Sequence, residues 1–244
     1  MAIGARERET AMKWKGLCLG ACLLAAAGLA RGGGLPDVAF TDGQFDPADW
    51  EAAVVYVGNG GDYGVDMQDT GGNPGAFLRT RLDVNAHSGP EVRTSTFVFF
   101  RRIGLEYDPA TQGEIASLDY TEDAIMLSGS VQSTGLVVWQ DGRAYRTIVT
   151  EFRQTTWEGE SLAGVLAEDL FGWVEQRDIH PDFSESGSPL EFGFFRGLST
   201  TDIPYSMTAG IDNWSTTIHR VPEPATVFLV VLGAAALLRP RQRR

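Results

Sequence analysis

The stretch GLVVWQDGRAYRTIVTEF, Gly135–Phe152, sets two β-branched and aromatic runs on either side of Asp141-Gly142. A two-residue Asp-Gly loop favours a type I′ turn, whose twist matches that of the strands it joins. The expected hairpin places Val138 opposite Tyr145 and Trp139 opposite Ala144. Similar runs recur along the chain at Ala52–Val57, Ala76–Val84, Ser95–Arg102, Glu114–Leu118, Ala124–Leu127, Leu190–Phe195 and Ser206–Ile218. Gly-, Asn-, Asp- and Pro-rich turns separate them, as in Gly58-Asn59-Gly60-Gly61 and Gly71-Gly72-Asn73-Pro74-Gly75. Many short strands with turns of this chemistry predict an all-β chain folded as a two-sheet sandwich of jelly-roll type.

One segment departs from the period of two. Leu162, Val165, Leu166, Leu170 and Val174 recur at helical spacing, with Glu168 and Asp169 on the opposite face. This predicts a short helix at one edge of the sheets, weakened by Gly164 and Gly172. No repeat or linker divides residues 35–220, so one β-sandwich domain is expected there.

The end of the chain has a different composition. Val221-Pro222-Glu223-Pro224 is followed by an apolar run from Ala225 to Leu238 and then by Arg239, Arg241, Arg243 and Arg244. The prolines fix an extended backbone. The apolar run can enter a bilayer as a helix, with the arginines on its cytoplasmic side. At 14 residues the run falls short of the roughly 20 that a stable span needs. In order and placement these residues resemble the PEP-CTERM sorting signal of exported bacterial proteins. That resemblance implies recognition by an exosortase-type membrane enzyme, transient anchoring by the transmembrane helix 225–238, removal of the tail, and delivery to the envelope or to the extracellular matrix of a biofilm.

The N-terminus agrees. Lys13 and Lys15 precede an apolar stretch, Gly16–Ala30, that ends in the small residues Gly28-Leu29-Ala30. Residues 1–30 therefore read as a secretory signal peptide with a helical core, cleanest if translation starts at Met12, and imply the general export machinery as a partner. The only cysteines, Cys18 and Cys22, fall inside this leader. The body must be held by its core without disulfides, which a domain of this size is able to do.

Between Leu35 and Arg220 there are 29 acidic side chains against 11 arginines and no lysine, a net charge of −18. Such a surface repels nucleic acid and anionic membranes, and suits calcium, neutral or cationic polysaccharide, or solubility outside the cell. Calcium wants several oxygen ligands, which loops supply. Asp42, Asp46 and Asp49 near the first strand, and Asp62, Asp66 and Asp69 in the Gly-rich loop after it, are the candidate ligands, joined by Asp212 if the first and last strands are neighbours. Asp is also a common turn residue for its own backbone reasons.

No catalytic motif is present. Glu106-Tyr107-Asp108-Pro109 resembles the start of the acidic strand of sandwich glycoside hydrolases but lacks the last acid, and its proline belongs in a turn. There is no Gly-x-Ser-x-Gly elbow and no His-Glu-x-x-His pair; His87, His180 and His219 read as surface residues. Trp139 and Trp214 read as sandwich core, whereas Trp157, between Thr155-Thr156 and Glu158-Gly159-Glu160, is the candidate exposed aromatic for stacking on a sugar.

Four further stretches, Phe40-Thr41-Asp42-Gly43-Gln44-Phe45 with Trp50, Gly72-Asn73-Pro74-Gly75, Pro181-Asp182-Phe183-Ser184 with Phe192-Gly193-Phe194, and Gly210-Ile211-Asp212-Asn213-Trp214, resemble landmarks of exported sandwich proteins that carry the same tail. The resemblance implies a concanavalin-like or galactose-binding-like fold and no catalytic residue. The expectation is an exported structural or polysaccharide-binding protein, with a secreted hydrolase of the same fold as the alternative.

Overall fold

A computed structural model describes residues 36–57, 61–85, 94–147, 150–172, 178–200 and 203–222. The expected leader, the apolar tail with Glu223, Pro224 and the terminal arginines, His87, Trp173 and Val174 lie outside these residues. Among the described residues no helix is long and apolar enough to cross a membrane. Residues Pro36–Arg220 form a compact unit of their own.

The unit is a sandwich of two antiparallel sheets. The first contains β1 (Val38–Asp42), β3 (Asp62–Gly72), β4 (Gly75–Val84), β6 (Ile115–Ser128), β10 (Glu158–Val165) and β13 (Tyr205–Arg220), in the order β10-β6-β13-β4-β3 with β1 also on β13. The second contains β2 (Trp50–Val57), β5 (Thr94–Tyr107), β7 (Gln132–Gln140), β8 (Arg143–Arg146), β9 (Thr150–Phe152), β11 (Phe171–Gly172) and β12 (Leu190–Thr200), in the order β11-β8-β7-β12-β5-β2 with β9 also on β7. Leu78, Leu82, Tyr120 and Trp214 of the first sheet and Val98, Phe100, Val138 and Phe194 of the second meet in one buried core.

The Asp141-Gly142 hairpin forms in the expected register, Val138 opposite Tyr145 and Trp139 opposite Ala144. Both turn residues have positive φ, 52° and 73°, as a type I′ turn requires. Trp139 is buried as expected, but away from the sandwich interior. Because Val138 faces inward, Trp139 packs on the other side of its sheet with Phe97, Phe99, Val137 and Phe195.

Two expectations are corrected. Among the described residues the predicted helix is absent: Leu162 and Val165 lie on β10, an extended strand. A register shift between them, with Gly164 at φ 66°, lets two residues three apart both pack toward the core. A β-bulge thus imitates helical spacing. Only Ala167–Asp169 turns, as a 3-10 element. The predicted runs Glu114–Leu118 and Ala124–Leu127 are one strand, β6, because the polar residues between them keep the alternation, with Tyr120 and Glu122 buried.

Candidate functional site

β2 and β3 follow one another in sequence yet belong to different sheets, each as an edge strand. Between them the sandwich is open. Tyr63 pairs with Leu82 and Met67 with Leu78 across β3 and β4, so these side chains share the inward face of their sheet. On the other side Ala52 pairs with Phe100 and Val55 with Val98. Inward-facing valines are normally covered, but Val55 and Val65 are each 38% exposed because no further strand among the described residues flanks them. The result is a cleft of about 430 Å³ whose walls are Trp50 and Ala52 on one side and Tyr63, Val65 and Met67 on the other, over Leu78 and Phe100.

Trp50 is fixed from three sides. Its ring stacks on Phe45 at 5.4 Å and meets Trp214 edge-on at 5.1 Å. Its indole N–H donates to Asp42 at 2.7 Å. Asp42 also accepts the backbone N–H groups of Gln44 and Phe45, at 2.8 and 2.9 Å, and lies 3.1 Å from the Arg102 guanidinium.

The rims of the cleft are polar. Glu51 is paired with Arg101, which also binds Glu191 at 2.7 Å. Asp66 receives Nε and Nη2 of Arg79 at 2.9 and 2.7 Å, a bidentate grip that holds the guanidinium above its ordinary pKa. An apolar floor with aromatic walls and a few polar rim groups is the usual composition of a small-molecule site. Each of the two rim carboxylates is engaged by an arginine.

A second pocket, about 440 Å³, lies near Phe97, Ser133, Glu151, Ser199 and Tyr205. Its Phe97 ring is seated against Gly197, where a Cβ would collide, and belongs to the outer apolar cluster. Val131 and Leu198 complete a lining of mixed polar and apolar residues.

The structure separates most of the candidate calcium ligands. Asp46 caps the Pro47–Asp49 turn by accepting the Ala48 N–H at 2.9 Å, and Asp49 pairs with Arg102 at 2.7 Å. Asp62, Asp66 and Asp69 are on the strand β3 and not in a loop. Two of them face arginines of β4: Asp66 faces Arg79, and Asp62 lies 3.4 Å from Arg81. Among the described residues no group of three or more His, Cys, Asp or Glu side chains is arranged to hold a metal ion.

The first and last strands are neighbours, with Asp42 opposite Trp214. Along one side of β13, β4 pairs with Tyr205–Ile211 and β1 with Trp214–Ile218. Asp212 and Asn213 occupy the gap. Asp212 is fully buried and accepts the backbone N–H groups of Asn73 and Asn213. Burial pushes its carboxyl up, those two N–H groups pull it down, and Asp123 and Asp42 push it up again. The amide of Asn213, a residue at φ 47°, reaches Asn73 O and Asp123 Oδ2. Three of the stretches singled out in the sequence thus form one knot where two strands share an edge, tied together by these hydrogen bonds.

Trp157 is half-buried. Its indole N–H donates to Gly71 O at 2.9 Å and its ring meets Phe77 edge-on at 5.3 Å, over Gly210. It braces the β3–β4 turn and is not among the residues that line the cleft. His180 is exposed, and His219 is bridged between two carboxylates. Asp108 caps the Pro109–Gln112 turn, as the proline there implied. Sequence reasoning missed the cleft, because Trp50 read as a landmark and Tyr63, Val65 and Met67 lay in a presumed loop.

No family model matches the chain and no curated protein matches its sequence. Solved structures with a related outline include the family 11 carbohydrate-binding module of the cellulosomal cellulase Lic26A-Cel5E of Clostridium thermocellum, at 10% identity and a TM-score of 0.42 over 77% of this chain and 98% of that one. An exo-beta-agarase matches at 14% identity and a TM-score of 0.39, over 76% of this chain and 25% of the agarase. The CBM22-1 xylan-binding domain of Paenibacillus barcinonensis Xyn10C matches at 12% identity and a TM-score of 0.33, over 78% and 97%. At these scores the likeness is one of β-sandwich outline and assigns no ligand.

Proposed function

We propose that this chain is an exported, non-catalytic sandwich module of jelly-roll, galactose-binding-like type that binds polysaccharide at the cell envelope or in the extracellular matrix. The leader 1–30 delivers it to the export machinery, and the segment from Val221 through Pro222-Glu223-Pro224 to the arginines delivers it to an exosortase. The observation that carries the binding role is the β2/β3 cleft, where aromatic and aliphatic walls lie between hydrogen-bonding rims. A sugar ring has the matching amphipathic pattern, with C–H faces that pack on apolar side chains and hydroxyls at its edge for the rims.

The test is co-sedimentation of the purified protein with the exopolysaccharide of the producing cells, with reducing ends followed in the supernatant. Saturable co-sedimentation without new reducing ends is expected. Release of sugar would instead make the protein a hydrolase, and failure to sediment with any polysaccharide would leave a purely structural role. Intact mass of the secreted form tests the sorting claim: loss of the leader and of the chain beyond the Pro-Glu-Pro segment is expected, and a full-length tail would contradict it.

A further inference from the structure

Both rims of the cleft carry the same device. Glu51 is held by Arg101, whose other amine goes to Glu191, and Asp66 is held by both ends of the Arg79 fork. In each case the guanidinium spends its charge on carboxylates, so the rim offers hydrogen-bonding atoms without an unpaired cation. Among the described residues the lining of the cleft includes Glu51 and Asp66 and no Lys, Arg or His. Acids outnumber bases just beyond it. Arg101 serves both Glu51 and Glu191, and Arg81 serves both Asp62 and Asp83, at 3.4 and 3.1 Å.

These charges discriminate between classes of glycan. A chain bearing uronate or sulfate finds no free cation in the cleft and meets carboxylates at both rims. A chain bearing ammonium groups gains little from these solvent-exposed carboxylates, as is usual for exposed ion pairs. An uncharged chain loses nothing, because a carboxylate oxygen bound to arginine keeps acceptor capacity for a hydroxyl. Resting on the polysaccharide-binding reading above, we infer that the β2/β3 cleft selects uncharged sugar chains and excludes uronate- and sulfate-bearing ones.

Two consequences separate this selectivity from general stickiness. Binding of a neutral chain involves no charge pairing with the ligand, so it is insensitive to salt. Removing the Asp66 charge releases Arg79 at the rim, so Asp66→Asn gains affinity for an anionic chain, a change that a misfolded variant cannot mimic. The gain is about fivefold, what one exposed charge pair contributes.

The experiment is affinity electrophoresis of the full-length protein and of Asp66→Asn through gels containing a neutral chain (galactomannan, xyloglucan or dextran), alginate or chitosan, at low and high salt. The wild type is expected to be retarded by at least one neutral chain equally at both salt levels, and to pass freely through alginate. Asp66→Asn is expected to be retarded by alginate at low salt only. Retardation of the wild type by alginate or chitosan that vanishes at high salt overturns the charge selectivity while leaving the polysaccharide reading in place. Free passage through every gel removes the reading and the selectivity together.

Discussion

Arg196 of β12 and Glu122 of β6 form an ion pair across the interior of the sandwich, with Arg196 Nη1 3.1 Å from both carboxylate oxygens and neither side chain exposed. The guanidinium lies 5.1 Å from the Phe152 ring and 5.0 Å from the Phe194 ring, and Tyr120 donates its hydroxyl to Glu122 at 2.6 Å. Removing one partner strands a charge in the core. Arg196→Met alone or Glu122→Gln alone should cost about 3–5 kcal/mol in urea unfolding, whereas Arg196→Met with Glu122→Leu should recover most of that loss. Equal loss in single and double variants would mean that the pair contributes packing and little else.

His219 links three strands through its two ring nitrogens. Nδ1 lies 2.9 Å from Asp37, just before β1, and Nε2 lies 2.8 Å from Asp119 on β6, whose other oxygen accepts the Gly164 N–H of β10 at 2.8 Å. Only an imidazolium can donate at both nitrogens. The Asp119 bond, ahead of Asp37, raises the His219 pKa above its ordinary 6.5; the Gly164 N–H, ahead of His219, lowers that of Asp119 below 3.8. The sign follows from linkage. The His219 contribution is complete below pH 6.5 and is lost as pH rises through its raised value. The Asp119 contribution is complete above 3.8 and is lost as pH falls through its lowered value. Thermal midpoints measured across pH should therefore fall on the alkaline side of 6.5 in the wild type and lose that step in His219→Gln.

Asp42 gathers the Gln44 and Phe45 N–H groups, the Trp50 indole and the Arg102 guanidinium on one carboxylate. Asp42→Ala leaves these donors without their acceptor and should cost about 3 kcal/mol in urea unfolding. It should also weaken glycan binding, because Trp50 forms a wall of the cleft. Unchanged stability would show that Phe45 and Trp50 hold the segment without it.

Gly142 has φ 73° and open space where a Cβ would go. Gly142→Ala therefore pays only for the left-handed backbone, about 1 kcal/mol in denaturant unfolding. A loss several times larger would indicate a clash in place of conformational strain.

The Asp141-Gly142 hairpin was legible because its turn chemistry and its alternation lie within eighteen consecutive residues, Gly135–Phe152. The neighbourhood of β1 and β13 was legible from fold class. β3 was not. Its glycines and aspartates read as a loop, and what makes it a strand is its pairing with β4, where Arg79 meets Asp66 thirteen residues away. The Glu122–Arg196 pair spans 74 positions, so the polar gap in β6 looked like a break between two strands. The cleft depends on which strands end up as edges, a property of the pairing order that no local pattern records.

The most direct test is glycan binding by the wild type and two single variants, measured by isothermal titration with a neutral chain that retards the protein. Ala52→Trp fills the cleft from an exposed position on an edge strand. Trp157→Phe alters the other candidate aromatic while keeping a ring over Gly210. Ala52→Trp is expected to abolish binding without lowering the thermal midpoint, and Trp157→Phe to bind as the wild type does. Full binding by Ala52→Trp, or its loss in Trp157→Phe, would contradict the placement of the site between β2 and β3.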